Sequence, residues 1–149
     1  MLRFETVPAE AIPPSLLLHA DPSQESIDSY LPGSRCFGAT DADEIVGVCV
    51  TNTNSRGLSE IFNIAVTPER QQQGIGTQLL AFAIRELRHA GAAAIEVGTG
   101  TFGYQLLFYQ RAGFRVDAVW KNHFVDNYKE PIYEFGVHLQ DMLRLRLEL

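Results

Sequence analysis

The chain has 149 residues, 46% hydrophobic and 20% charged, the size and composition of one globular domain spanning 1–149, able to bury about 70% of its unfolded surface without staples. Its formal net charge is −6, from 12 basic and 18 acidic residues, and no Lys/Arg cluster offsets it, which argues against a nucleic-acid partner. No apolar run approaches the ~18 residues of a membrane span, and MLRFETVPAE lacks the apolar core of a signal peptide, so no membrane association and a cytoplasmic location are expected.

Leu2 to Val7 alternates as a first strand. Prolines at 8, 13, 14, 22 and 32 punctuate the next stretch, which reads as two short helices, about Ser15–Ala20 and Ser23–Leu31, with Ser23 or Asp21 as an N-cap. Three strands follow. Arg35–Thr40 is short, and Asp41-Ala42-Asp43 turns it into Glu44–Asn52, whose β-branched run suggests a central strand. Leu58–Thr67 comes next and is stopped by Pro68. From Gly74 to Ala90, Ile75, Leu79, Leu80, Ala83, Ile84 and Leu87 recur at helical spacing, with Gly91 as the stop signal. Ala93–Val97 is a buried strand, Gly98–Gly103 a glycine-rich turn, Tyr104–Ala112 a short helix and Phe114–Trp120 a strand. Residues 121–141 are irregular and aromatic, with room for one short helix. Met142–Leu149 alternates, placing Leu143, Leu145, Leu147 and Leu149 on one face. The order β-αα-βββ-α-β-α-β-β is an α/β class with a mixed sheet. The step across residues 58–97 should be a crossover between parallel strands.

Cys36 and Cys49 are too few for a disulfide framework and read as buried thiols. His19, His89, His123 and His138 form no metal-ligand spacing, so no metal site is expected.

Two glycine-rich loops each follow a strand and open a helix. In the first, Arg70-Gln71-Gln72-Gln73-Gly74-Ile75-Gly76-Thr77, the glycines allow close backbone approach. The unpaired N–H groups and dipole of the helix start favour an anion such as a pyrophosphate. The loop has no Lys-Ser/Thr pair for a magnesium triphosphate. The second, Gly98-Thr99-Gly100-Thr101-Phe102-Gly103, is a literal G-x-G-x-x-G with Asp117 about 20 residues on, the pattern of a dinucleotide-binding oxidoreductase. Its helix is short, however, and too little chain follows it for a full dinucleotide fold.

The segment Val66 to Leu80, with Gln71, Gly74 and Gly76, resembles the acetyl-CoA-binding signature Gln/Arg-x-x-Gly-x-Gly/Ala of the GNAT superfamily of N-acetyltransferases. Leu107-Phe108-Tyr109-Gln110-Arg111-Ala112-Gly113-Phe114 is similar to that family's Leu-Tyr-x-x-x-Gly-Phe segment. The two lie at the family's usual separation, and the element order matches over nearly the whole chain. The resemblance implies a GNAT fold: a central, mixed, mostly antiparallel sheet of about seven strands flanked by about four helices. It implies an acyltransferase that moves the acetyl group of acetyl-CoA to a primary amine by direct attack in a ternary complex. Backbone N–H groups of Gln71, Gln72, Gln73, Gly74, Ile75, Gly76 and Thr77 would hold the pyrophosphate. Ile64, Ala65 and Val66, where the family splays its fourth and fifth strands, would pair with the pantetheine like an added strand. Tyr109 matches the tyrosine that protonates the departing thiolate. Where many members carry a pantetheine-binding asparagine, seven residues before the tyrosine, this chain has Phe102; Thr99 or Thr101 could take that contact.

Period-two alternation puts Leu58, Glu60, Phe62, Ile64 and Val66 on one face, making Glu60 a carboxylate among apolar neighbours and a candidate general base. The alternative is a solvated or salt-bridged Glu60. Asn63 falls on the other face, placed to hydrogen-bond backbone at the splay. Trp120, His123, Phe124, Tyr128 and Tyr133, with Asp126, Glu130 and Glu134, would suit the pocket of a cationic amine; a surface loop or a homodimer contact is the other use open to them. The acceptor could be a small amine, an antibiotic, or the N-terminus or a lysine of a peptide. A non-catalytic acetyl-CoA-binding module remains the alternative to an enzyme.

Overall fold

The computed structural model describes residues 1–149. Strand β1 (Leu2–Val7) leads through a 3-10 turn to helices α1 (Pro14–Ala20) and α2 (Gln24–Tyr30). Strands β2 (Arg35–Asp41), β3 (Glu44–Thr53) and β4 (Leu58–Val66) follow, then a second 3-10 turn at Pro68–Arg70 and the long helix α3 (Ile75–His89). Next come β5 (Ala94–Thr99), α4 (Tyr104–Arg111), β6 (Arg115–Trp120), α5 (His123–Asn127), a two-residue-per-strand hairpin of β7 (Tyr133–Glu134) and β8 (Val137–His138), and β9 (Met142–Glu148). The expected elements are all present, and the aromatic segment 121–141 contributes the additional helix and the hairpin.

Local signals account for the boundaries. Ser23 caps α2, its hydroxyl accepting from the Ser26 N–H at 3.1 Å, and Asp21 instead closes α1. Ala42 and Asp43 take φ of 50° and 68°, the paired left-handed conformation of a tight hairpin turn.

Seven strands form one sheet in the order β1-β2-β3-β4-β5-β9-β6. Only β4 and β5 pair in parallel; the other neighbours are antiparallel. The chain therefore inserts its last strand between β5 and β6. That insertion disposes of the dinucleotide reading, because the strands flanking the G-x-G-x-x-G stretch are not neighbours as its βαβ unit requires.

Two apolar layers cover the sheet. One, including Leu79, Leu80, Ala83, Leu87, Ile95, Tyr109 and Leu145, lies under α3 and α4, and Leu143, Leu147 and Leu149 pack against it. The other, including Leu16, Leu17, Ile27, Val48 and Val50, lies under α1 and α2. Cys36 and Cys49 are buried free thiols in opposite layers.

Candidate active site

The site begins with an extra residue in β4. Val50 pairs with Asn63 but Thr51 pairs with Ile61, so Phe62 bulges from the ladder. The bulge inverts the alternation. Ile61 belongs to the α3 layer, and beyond Phe62 so does Ile64, while Val66 packs on Ile75. Phe62 turns to the other side and stacks on Tyr30 at 5.1 Å, and Glu60 lines a groove with Tyr30 and Ser26. The single face expected for Leu58, Glu60, Phe62, Ile64 and Val66 therefore does not exist; one inserted residue divides it between the two layers.

The same bulge ends the parallel pairing. β4 and β5 are in register from Leu58–Ala94 to Ile61–Val97, and then separate although β4 runs on to Val66 and β5 to Thr99. The divergence leaves the Ile64–Val66 edge without a partner strand. It opens a groove of about 490 Å³ along Ile64, Ala65, Val66, Gln71 and Tyr104. An inner cavity of about 140 Å³ lies at the apex, bordered by Asn63, Thr99, Tyr109 and Leu139.

The groove runs toward the start of α3. Gly74 caps that helix with φ 80°, and no side chain serves as N-cap. Gln72 also takes a positive φ of 62°. The first helix amide to find an acceptor is that of Gln78, bonded to the Gly74 carbonyl at 3.1 Å, so the N–H groups from Gln72 to Thr77 are left as donors to an anion; that of Gln71, expected to join them, is instead bonded to the Pro68 carbonyl at 3.3 Å by the 3-10 turn. Side chains lock the loop from behind. Gln71 donates to the Val66 carbonyl at 2.9 Å and Arg70 to Asp41 at 2.9 Å. A Cβ on Gly76 would lie 3.7 Å from Phe108 and 3.8 Å from Val66, ordinary contacts, so the fold itself accepts one. A branched side chain there would project further into the cavity that Gly76 shares with Gly74, Thr77 and Phe108.

Tyr109 is 1% exposed. Its ring packs edge-on against Phe108 and Phe114 at 5.2 and 5.5 Å, and the residue borders the apical cavity. Burial, with a smaller contribution from Cys49, raises its phenol above the usual 10, so it stays a proton donor across the neutral range. Of the two hydroxyls considered beside it, Thr99 is buried at the cavity and reaches Gln105 at 3.4 Å. Thr101 is exposed in the turn and does not border the groove or the cavity. Phe102 packs against Phe135 at 6.4 Å, so the hairpin shields the groove at that point.

Glu60 is not surrounded by apolar groups. Arg144 holds its carboxylate at 3.1 Å and also faces Glu96 at 3.8 Å. The Arg144 side chain is 6% exposed, and its guanidinium lies 4.2 Å over the Trp120 ring. Sequence reasoning passed over Arg144 because β9 was read for its leucines; the arginines alternate with them and face the other layer. It also passed over Asp21, taken as a helix signal. Asp21 is 7% exposed and accepts from the Tyr30 and Tyr128 hydroxyls, each at 3.1 Å, and from the Ser23 N–H at 3.2 Å. Asn63 does bond to backbone at the splay, donating to Leu17 O and also to the Tyr30 hydroxyl, both at 3.0 Å. Its Oδ1 is buried without a partner.

Residues 32–116 match the model of the acetyltransferase (GNAT) domain. The chain is 42% identical over 135 residues to an uncharacterised N-acetyltransferase, YvbK, from Bacillus subtilis strain 168, covering 90% of this chain and 87% of that one. Among solved structures, an IAA acetyltransferase from Bacillus cereus superposes with a TM-score of 0.93 at 39% identity, over 100% of both chains. A GNAT acetyltransferase from Elizabethkingia anophelis, with acetyl-CoA bound, gives 0.92 at 40% identity over 99% of this chain and 98% of that one. A Bacillus subtilis acetyltransferase in complex with CoA gives 0.88 at 40% identity, over 100% and 99%. The splayed β4–β5 pair, the outward amides at the start of α3, the domain match and these relatives together place the chain in the GNAT family of acetyltransferases.

Proposed function

We propose that this protein transfers the acetyl group of acetyl-CoA to a primary amine by direct attack in a ternary complex. The observation that carries the reading is the continuity of the site. Outward amides at the start of α3 lead into a groove along a free strand edge, and the groove leads to a cavity bordered by the Tyr109 side chain. Relatives at 40% identity hold acetyl-CoA or CoA, and the groove fits such a group: a diphosphate would lie on the amides from Gln72 to Thr77, and a pantetheine along Ile64–Val66 by β-augmentation. When bound, acetyl-CoA supplies an activated acyl carbon and a thiolate leaving group.

The chain's own residues then have separable tasks. Tyr109 holds a proton at Oη for the departing sulfur, whose ordinary thiol pKa is ~8.5. The groove that Glu60 lines with Tyr30, Ser26 and Arg144 is assigned to the acceptor; there Glu60 receives a proton from the amine, directly or through water, and Arg144 fixes the orientation of that carboxylate. Thr99 stands nearer the cavity than Thr101 for a polar contact with the pantetheine. The acceptor is a small molecule or a peptide amine, and we infer a cytoplasmic setting, where acetyl-CoA is available; no helix is long and apolar enough to cross a membrane. The test is release of free thiol from acetyl-CoA across a panel of primary amines. Thiol released in proportion to N-acetylated product supports the reading, and acetyl-CoA binding without amine-dependent release returns the protein to a non-catalytic binding module.

A further inference from the structure

The residues bordering the apical cavity include two charged ones, Asp21 and Glu134, and no cation. Asp21 is the buried one of the pair: it is 7% exposed, whereas Glu134 is exposed. A carboxylate taken out of water is normally paired with a cation or richly hydrogen-bonded. Asp21 has only neutral donors, the Tyr30 and Tyr128 phenols and the Ser23 amide. Arg144, the one arginine of the adjoining acceptor groove, is engaged by Glu60 and Glu96. The negative charge of Asp21 is thus spread over three dipoles but not neutralised.

A second observation is independent of the first. Asn63 is 4% exposed, and its Oδ1 is the one buried side-chain oxygen or nitrogen in the chain without a hydrogen-bond partner. The residue borders the same cavity as Asp21, Tyr128 and Tyr109. Its amide is held by Leu17 O and the Tyr30 hydroxyl, which fixes Oδ1 as an acceptor in place. A buried acceptor left unbonded is destabilising, so its retention beside a carboxylate calls for a donor from outside the chain, and the carboxylate favours one that is positively charged.

We infer that Asp21 and Asn63 form the seat for the acceptor's ammonium group, so that the protein selects cationic primary amines over neutral or anionic acceptors. The inference rests on the amine-acceptor reading above and narrows it to a charge class. An alkylammonium has three N–H donors; one meets Asp21, one meets Asn63 Oδ1, and the positive charge supplies the neutralisation that the phenols do not. Tyr30 and Tyr128 both have phenols raised by burial first of all, so they remain donors and hold the carboxylate in its cavity-facing position. An acceptor carboxylate entering here would meet two acidic residues and is rejected by repulsion.

The test uses the CoA-loaded protein, with n-butylammonium chloride and n-butanol as probes of equal shape, read by calorimetry. The wild type should bind butylammonium on the order of 10-fold or more tighter than butanol. Asp21→Asn should lose that preference while keeping its affinity for CoA and its circular dichroism. Equal binding of the two probes by the wild type, or an undiminished preference in the variant, overturns the inference. Should Asp21→Asn not fold, the labelled wild type decides: the Asp21 carboxyl carbon and the Asn63 side-chain amide should shift on titration with butylammonium and stay on titration with butanol, and unmoved signals overturn the proposal. These readouts need no turnover, so a wild type that binds butylammonium selectively yet acetylates no amine contradicts the proposed function and leaves the seat standing.

Discussion

Tyr109 offers the sharpest separation between chemistry and packing. Its ring sits between Phe108 and Phe114 and belongs to the larger apolar layer. The residue is 1% exposed and borders the apical cavity. Tyr109→Phe therefore removes the proton donor and leaves the packing intact, so the melting temperature should move by no more than ~2 °C. Tyr109→Ala empties the site of a whole aromatic ring. That costs roughly 3–5 kcal/mol, or about 6–20 °C for a chain of this size. Catalysis should respond the other way round. General acid assistance is worth ~10²–10⁴-fold, so kcat for Tyr109→Phe should fall at least ~10-fold even with water as a substitute donor. The KM for amine and the affinity for acetyl-CoA should hold, because the donation exists only as the sulfur departs. The assay is steady-state thiol release at saturating acetyl-CoA beside calorimetric affinity and thermal melting. A phenylalanine variant turning over near the native rate, with an alanine variant that melts early, makes Tyr109 a packing residue with no part in proton transfer.

Gly76→Val should weaken acetyl-CoA binding by at least ~10-fold in calorimetry, since its branches enter the space beside the unpaired α3 amides, while the fold tolerates a Cβ there; unchanged affinity contradicts the loop assignment. Glu60→Gln should lower the rate most at low pH and displace the ascending limb of the pH–rate profile, whereas a normal profile assigns Glu60 to its ion pair with Arg144 alone. Asp41 is held below the ordinary carboxylate range, first by the terminal ammonium and then by Arg70. Its contribution to stability is therefore full above its unfolded value near 3.9 and lost as pH falls through the lower folded value. Asp41→Asn should flatten the fall of melting temperature below about pH 4, and an identical acid limb in both proteins contradicts that account.

The fold was legible wherever local pattern and tertiary structure agree. The leucines of β9 alternate for the layer they fill, and the apolar stripe of α3 faces the sheet that buries it. The backbone of the loop before α3 was legible for the same reason: Gly74 takes the positive φ that glycine allows, which short-range spacing encodes, whereas the bond from the Gln71 side chain to the Val66 carbonyl depends on the fold. What failed depends on long-range register. Nothing local to Leu58–Val66 announces that Phe62 is an extra residue, because a bulge is defined by the partner strand, so Glu60 was assigned to a face that the bulge divides. Arg144 reaches Glu60 and Glu96 only because the last strand inserts beside β5. Asp21 looks like a turn residue until Tyr128, 107 positions away, donates to it. The hydroxyls Thr99 and Thr101 are two residues apart, and only the end of β5 separates the one at the cavity from the one in the exposed turn.

Acetyl transfer to an amine, from a cofactor laid between the start of α3 and the β4–β5 wedge, is directly measurable. It is tested most directly by incubating the protein with acetyl-CoA and a panel of primary amines, following free thiol and confirming the N-acetylated product by mass. Amine-dependent thiol release is expected, strongest for cationic amines, with product formed in equal amount. Tight binding of acetyl-CoA with no amine raising thiol release above the rate in buffer would contradict it.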